Sequence, residues 1–270
     1  MGEKLKQIKL TESQIHKCKE ILKKYRMGIK YDEESDCFDK NDLLTKLGFA
    51  NKIDPYKKFS KEKKDAYDFA KILNVSVCPY CNEQYTFTVY SENGKTLSRP
   101  EFDHFKSKSE FPEYQLSLFN LVPSCHICNS VLKGRKVFDE NTYLNPYKKD
   151  FDSIVQFDLI LNGADYLCEE NFDIDFEMKN IESSDNMLAE NNIDVFKLKE
   201  RYAFHKNEVV KIAKAAKYYT RLKRKEIEEL VSFNDLPIET ILFPDKNCEI
   251  NQTSLGKLKR DITKKFLTIM

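Results

Sequence analysis

The stretch RPEFDHFKSKSEFPEYQLSLFNLVPSCHICNSVLKG, residues 99–134, decides how this chain is read. An Asp-His pair, Asp103 and His104, stands at the end of a short apolar strand signal. Asn120 opens a second strand-like run, Asn120-Leu121-Val122-Pro123. Asn129 follows a cysteine directly, where a helix through Ser130, Val131 and Leu132 is expected to begin. The predicted order is strand, loop, strand, helix, with one chemically capable side chain on each part. Adjacent strand residues point to opposite faces, so Asp103 and His104 share a site only where the strand ends or bends.

Two cysteine pairs bracket this stretch: CPYC at 78–81 and CHIC at 125–128. Two-residue spacing lets both sulfurs of a pair turn toward one ion. Four thiolates complete a closed tetrahedral zinc site, so Cys78, Cys81, Cys125 and Cys128 are predicted to hold structural Zn²⁺. The other four cysteines, Cys18, Cys37, Cys168 and Cys248, are scattered and read as free thiols.

Taken together, CPYC, the Asp-His pair, NLVPSCHIC and the Asn129…Lys133-Gly134 ending resemble the HNH, or ββα-metal, nucleases, in the branch that carries CxxC knuckles around the motif. The resemblance covers residues 78 to 134, about a fifth of the chain. It implies a metal-dependent endonuclease that hydrolyses phosphodiester bonds of DNA, with RNA as the other substrate class. His104 is then the general base, and Asp103 and Asn129 hold one catalytic Mg²⁺ or Mn²⁺. Asn120 is then a positioning residue. One departure stands out. The family's third signature residue is often His, and here it is Asn129, whose carbonyl oxygen suits a hard cation better than a borderline one. Without the cysteine frame, an Asp-His pair in a loop is ordinary polar surface and an Asn before a strand is an ordinary turn residue. The competing reading is a non-catalytic zinc module that binds nucleic acid or protein. His126, inside the second knuckle, reads as exposed, and His205 as a helix residue.

The flanks are helical in pattern. Residues 11–26 show a Thr11/Gln14 capping box and an apolar face of Ile15, Cys18, Ile21, Leu22 and Tyr25. A second helix is expected from Ser60, turning Ala66, Phe69, Ala70 and Leu73 inward, with a short segment around residues 43–49 before it. Strands are expected at 154–161 and 172–178 with a turn at Asn162-Gly163, a long helical stretch at 194–231, unbroken or broken in two, and a last helix at 254–267. Two acidic fragments, Asp32-Glu34-Asp36 and Asp245-Asn247-Glu249, lack the glycine and final glutamate of a calcium loop and read as solvated loops. The expected class is α+β: mainly helical flanks around a zinc-stabilised ββα module. The expected divisions are a helical region at 1–75, the metal-held module at 76–148, and a C-terminal region at 149–270.

Charge bounds the partners. A net charge of +1 over 270 residues makes the whole molecule no magnet for nucleic acid, so local patches must do the binding. Lys106, Lys108, Lys133, Arg135 and Lys136 lie beside the motif and are candidates for phosphate contacts. Lys211, Lys214, Lys217, Arg221 and Arg224 are spaced to share one helical face. The helical flanks are similar to those of defence nucleases that work beside an ATPase, as in Septu-type anti-phage systems; that resemblance implies a partner ATPase subunit. The chain contains no apolar run of membrane-span length and its first residues no signal-peptide core, and Lys6 stands where a myristoylation site needs Ser or Thr. A cytoplasmic protein without membrane partners is expected.

Overall fold

The computed structural model describes residues 6–48, 54–163, 165, 171–180, 183–230 and 238–269. They form a mixed α and β chain whose sheets are all two-stranded and antiparallel. It divides into two compact units, residues 1–150 and 151–270.

In the first unit, helix α1 (Glu12–Lys23) begins at the expected capping box. Thr11 Oγ1 accepts the Gln14 amide at 3.2 Å, and Gln14 Oε1 accepts the Thr11 amide at 3.0 Å. Its apolar stripe buries Cys18 and Leu22, with Tyr25 just beyond its end. Strands β1 (Tyr31–Asp32) and β2 (Cys37–Phe38) make a small hairpin, followed by α2 (Lys40–Gly48). Phe49 lies outside the described residues. The expected helix from Ser60 is two helices. Ser60 belongs to α3 (Pro55–Lys61), which Asp54 caps by accepting the Lys57 amide at 2.8 Å. Glu62 leaves the helical region (φ −74°, ψ 91°), and α4 (Lys63–Leu73) starts after it. Ala66, Phe69, Ala70 and Leu73 of α4 all enter the core, as their spacing predicts.

After α4 the chain makes the first cysteine knuckle and then a hairpin, β3 (Val89–Tyr90) with β4 (Thr96–Ser98). Strand β5 (Glu101–His104) pairs with β6 (Leu121–Ser124) in the register Glu101↔Ser124 to His104↔Leu121. Asn120 sits in a 3₁₀ turn (Leu118–Asn120) that leads into β6. The helix expected at Asn129 is a π-helix, Ile127–Lys133. Its wider turn is uncommon and recurs at functional sites. Phe102 of β5 inserts among the helices: its ring lies 5.1 Å from Phe69, edge to face, and 5.9 Å from Phe59. One core therefore joins α1, α3 and α4 to the β5–β6 pair.

The second unit runs α5 (Phe151–Ile154), β7 (Val155–Leu161), β8 (Phe172–Met178), α6 (Asn186–Val195), α7 (Leu198–Tyr202), α8 (Lys206–Tyr218), α9 (Arg221–Leu230), α10 (Ile238–Leu242) and α11 (Gly256–Ile269). The two long strands pair from Val155↔Met178 to Leu161↔Phe172. Their connection spans residues 162–171 instead of closing tightly at Asn162-Gly163. The stretch expected as one or two helices is broken further. Val231, its expected end, lies outside the described residues. Between α8 and α9 the chain turns at Tyr219–Thr220, and Arg224 is buried, donating to the Tyr219 carbonyl at 3.0 Å. The predicted basic stripe through Lys211, Lys214, Lys217, Arg221 and Arg224 is thus not continuous.

Of the scattered cysteines, Cys18 is buried and burial pushes its thiol up to about 12, which leaves it inert. Cys37 and Cys248 are half-buried, and Cys168 lies outside the described residues. No helix among the described residues is long and apolar enough to cross a membrane.

Candidate zinc knuckle and histidine site

The four cysteines that the spacing paired come together. The Sγ atoms of Cys78, Cys81, Cys125 and Cys128 lie within 4.8 Å of one another, and all four residues are buried. Tetrahedral zinc with bonds of about 2.3 Å sets its sulfurs roughly 3.8 Å apart, so the cluster is compatible with one ion. Each knuckle is built by backbone. The Asn82 amide donates to the Cys78 carbonyl at 2.8 Å with Asn82 in the left-handed region (φ 50°), and the Asn129 amide donates to Cys125 O at 3.0 Å. The Cys128 amide points at Cys125 Sγ, 3.4 Å away. Burial pushes the Cys78 thiol well above its usual range. As thiolates the four buried sulfurs would need a positive charge among them, and a zinc ion would supply it.

Beside this frame β5 presents two faces. Glu101 and Asp103 turn toward the knuckles and the π-helix, whereas Phe102 and His104 turn toward α3. Asp103 is buried and saturated. Its two carboxylate oxygens accept Lys133 Nζ at 2.6 and 2.8 Å, and Oδ2 also accepts the Tyr80 hydroxyl at 2.6 Å. Burial and the Asp103 charge push the Tyr80 hydroxyl well up, so at neutral pH it acts as a donor. Lys133 Nζ also donates to the backbone carbonyls of His104 and, at 3.2 Å, Phe105. Burial lowers the Lys133 ammonium, opposed by Asp103. Lys133, expected at the surface on phosphate, is instead an internal cation tying the π-helix to the end of β5. Removing one member of such a pair leaves a buried charge. Lys133→Met should therefore cost about 3–5 kcal/mol in denaturant unfolding, and adding Asp103→Leu should recover most of it.

Glu101 gathers the exposed end of the π-helix. His126 Nδ1 is 2.7 Å from Oε1, while Asn129 Nδ2 and Ser130 Oγ donate to Oε2, each at 2.8 Å. Burial alone would raise Glu101, but these hydrogen bonds outweigh it and hold the carboxyl below its usual range. Asn129 is thus engaged by Glu101 and not by Asp103. Neither Glu101 nor its link to His126 was foreseen; the available signal was that residues 101 and 103 alternate onto one strand face.

On the opposite face, His104 Nε2 lies 3.1 Å from the backbone carbonyl of Gln115. A carbonyl can only accept, so Nε2 carries the proton and Nδ1 keeps its lone pair. Among the described residues Nδ1 has no partner. The ring packs edge to face on Tyr56, centroids 4.2 Å apart. Burial lowers the imidazole to about 4, against the opposing pull of the Gln115 carbonyl and of Asp103, so the ring is neutral at pH 7.

The loop that supplies Gln115 is held at both ends. Asn120 Oδ1 accepts the Lys106 amide at 2.7 Å, and its Nδ2 donates to the carbonyls of Lys106 (3.0 Å) and Tyr114 (3.1 Å). This matches a positioning task. Asn120→Ala strands three backbone groups and should cost about 2–3 kcal/mol by denaturant unfolding. The other tether is Asp36, which accepts Ser117 Oγ at 2.9 Å, the Leu118 amide at 2.8 Å and the Tyr31 hydroxyl at 3.0 Å. The first acidic fragment is therefore not merely a solvated loop: Asp36 is buried and braces the histidine's loop.

Of the remaining basic candidates, Arg135 and Lys136 are exposed. Lys106 lies 3.8 Å from Glu140 and Lys108 3.1 Å from Asp54, so each has a carboxylate neighbour. No family model, curated protein or solved structure matches the chain.

Proposed function

We propose that the chain is a zinc-framed, HNH-type endonuclease that hydrolyses phosphodiester bonds of DNA, with His104 as its general base. One observation carries this reading: a neutral imidazole, its tautomer set by a loop carbonyl, stands at the end of an antiparallel strand pair that a four-cysteine cluster and a helix close off. Hydrolysis needs a water that loses its proton as it attacks phosphorus, and Nδ1 of His104 is the ring atom left to take it. Gln115 holds the ring through Nε2, Asn120 and Asp36 hold the loop, and Tyr56 limits the ring's rotation. The buried cysteine cluster supplies rigidity, which keeps a base in place during the reaction.

The resemblance also calls for Mg²⁺ or Mn²⁺ between Asp103 and Asn129. These residues do not fit such an ion as they stand. Both oxygens of Asp103 face the Lys133 ammonium, and Asn129 turns its amide to Glu101. No step is therefore derived through that ion. Arg135 and Lys136 are the exposed cations next to the π-helix and the first candidates for phosphate contact. With a net charge of +1, a partner that loads the nucleic acid suits the chain, and the ATPase of an anti-phage system is the kind of partner we propose. The neighbouring carboxylates of Lys106 and Lys108 are what favour the second reading, a non-catalytic zinc module.

The substrate class is tested by incubating the zinc-loaded chain with labelled single- and double-stranded DNA and RNA, with Mg²⁺, Mn²⁺ or chelator. Cleavage products from DNA are expected. Cleavage of RNA alone would replace the substrate, and binding without cleavage of any of the four would favour the zinc module.

A further inference from the structure

We infer that Lys133 is a built-in cation that occupies the position beside Asp103 where a divalent ion would sit, so that Asp103 is not a metal ligand in this chain. The ammonium is surrounded by four oxygens: Oδ1 and Oδ2 of Asp103 at 2.6 and 2.8 Å, the carbonyl of His104, and that of Phe105 at 3.2 Å. The Phe138 ring covers another side, 4.6 Å from Nζ. Both charged side chains are almost wholly buried, 3% and 4% exposed. Magnesium needs about six oxygens near 2.1 Å and keeps several of them as water. With the ammonium seated among these oxygens, the place that such an ion and its waters would take is filled. Charge points the same way. One carboxylate facing one ammonium is neutral, and a divalent ion added beside them would leave two uncompensated positive charges in a buried site. Lys133 reaches this position from the last residue of the π-helix, on the side of that helix turned to β5.

The inference concerns the metal arrangement expected on the nuclease reading, but its test does not depend on activity. Mn²⁺ binding to the full zinc-loaded chain is measured by electron paramagnetic resonance of the free ion, for wild type, Asp103→Asn, Lys133→Met and the double variant. Asp103→Asn is expected to leave Mn²⁺ affinity within about twofold of wild type. Lys133→Met, checked to retain its zinc, is expected to gain one Mn²⁺ site that the double variant lacks. A tenfold or greater loss of Mn²⁺ affinity in Asp103→Asn would overturn the inference. So would a zinc-retaining Lys133→Met with no added site. Should Lys133→Met fail to fold, the comparison of Asp103→Asn with wild type still decides. Failure of the nuclease reading would appear elsewhere, as absence of cleavage with these Mn²⁺ results unchanged.

Discussion

Cys78→Ser should abolish cooperative folding of the first unit, and stripping zinc with a strong chelator should do the same to wild type. Cys78 is fully buried among three other cysteines, and its knuckle follows α4 in the chain and leads to the β3–β4 hairpin. Structural zinc in small sites contributes on the order of 10–16 kcal/mol of binding free energy, as much as the whole stability of a typical domain. A serine hydroxyl is a far weaker ligand and stays protonated, so most of that contribution is lost. Elemental analysis should give about one zinc per wild-type chain and much less for Cys78→Ser. A variant that melts like wild type while carrying no zinc would show that no structural metal holds this fold.

His104→Ala should behave in the opposite way: the fold and its zinc content retained, and a fall in cleavage rate of about 10²–10⁴-fold, the usual worth of a positioned general base. His104→Gln separates hydrogen bonding from proton transfer, since it can still donate to the Gln115 carbonyl without accepting a proton at neutral pH. It should be as slow as His104→Ala. The pH dependence follows from the lowered imidazole. His104 is neutral in the folded chain down to about pH 4 and titrates near 6.5 when unfolded. The acid limb of kcat/KM that His104 sets should therefore fall near pH 4 and not near 6.5. For stability the sign is fixed by proton uptake. Between pH 6.5 and about 4 the unfolded chain binds a proton that the folded chain does not, so stability falls as pH falls through that window. His104→Gln should lose this part of the acid sensitivity, which unfolding curves at pH 7 and pH 5 would reveal.

Much of the frame was legible in the sequence because it depends on local chemistry. Thr11 and Gln14 lie three residues apart, and the capping box they make needs no partner from elsewhere. The spacing of the cysteine pairs is enough to foresee that the four thiols gather, and Ala66, Phe69, Ala70 and Leu73 follow the helical period. What was not legible depends on long-range pairing. Nothing near Asp36 marks it as the brace of residues 117 and 118, and nothing in CPYC shows that its tyrosine will donate to Asp103. Lys133 looked like a surface cation because lysines near a phosphate-handling motif commonly are. Its burial becomes visible only once the wide turn of the π-helix aims it at the end of β5. The Asp-His pair shows the same limit: strand alternation predicts opposite faces, and only the folded chain tells which face meets the helices and which meets the knuckles.

Nicking of supercoiled plasmid DNA by zinc-loaded wild type beside His104→Ala, across Mg²⁺, Mn²⁺ and chelator, tests the role of His104 most directly. Nicked and linear products are expected from wild type, with at least a hundredfold slower appearance of both from the variant. Equal rates for the two proteins, or no cutting by either when candidate partner proteins are present, would contradict it.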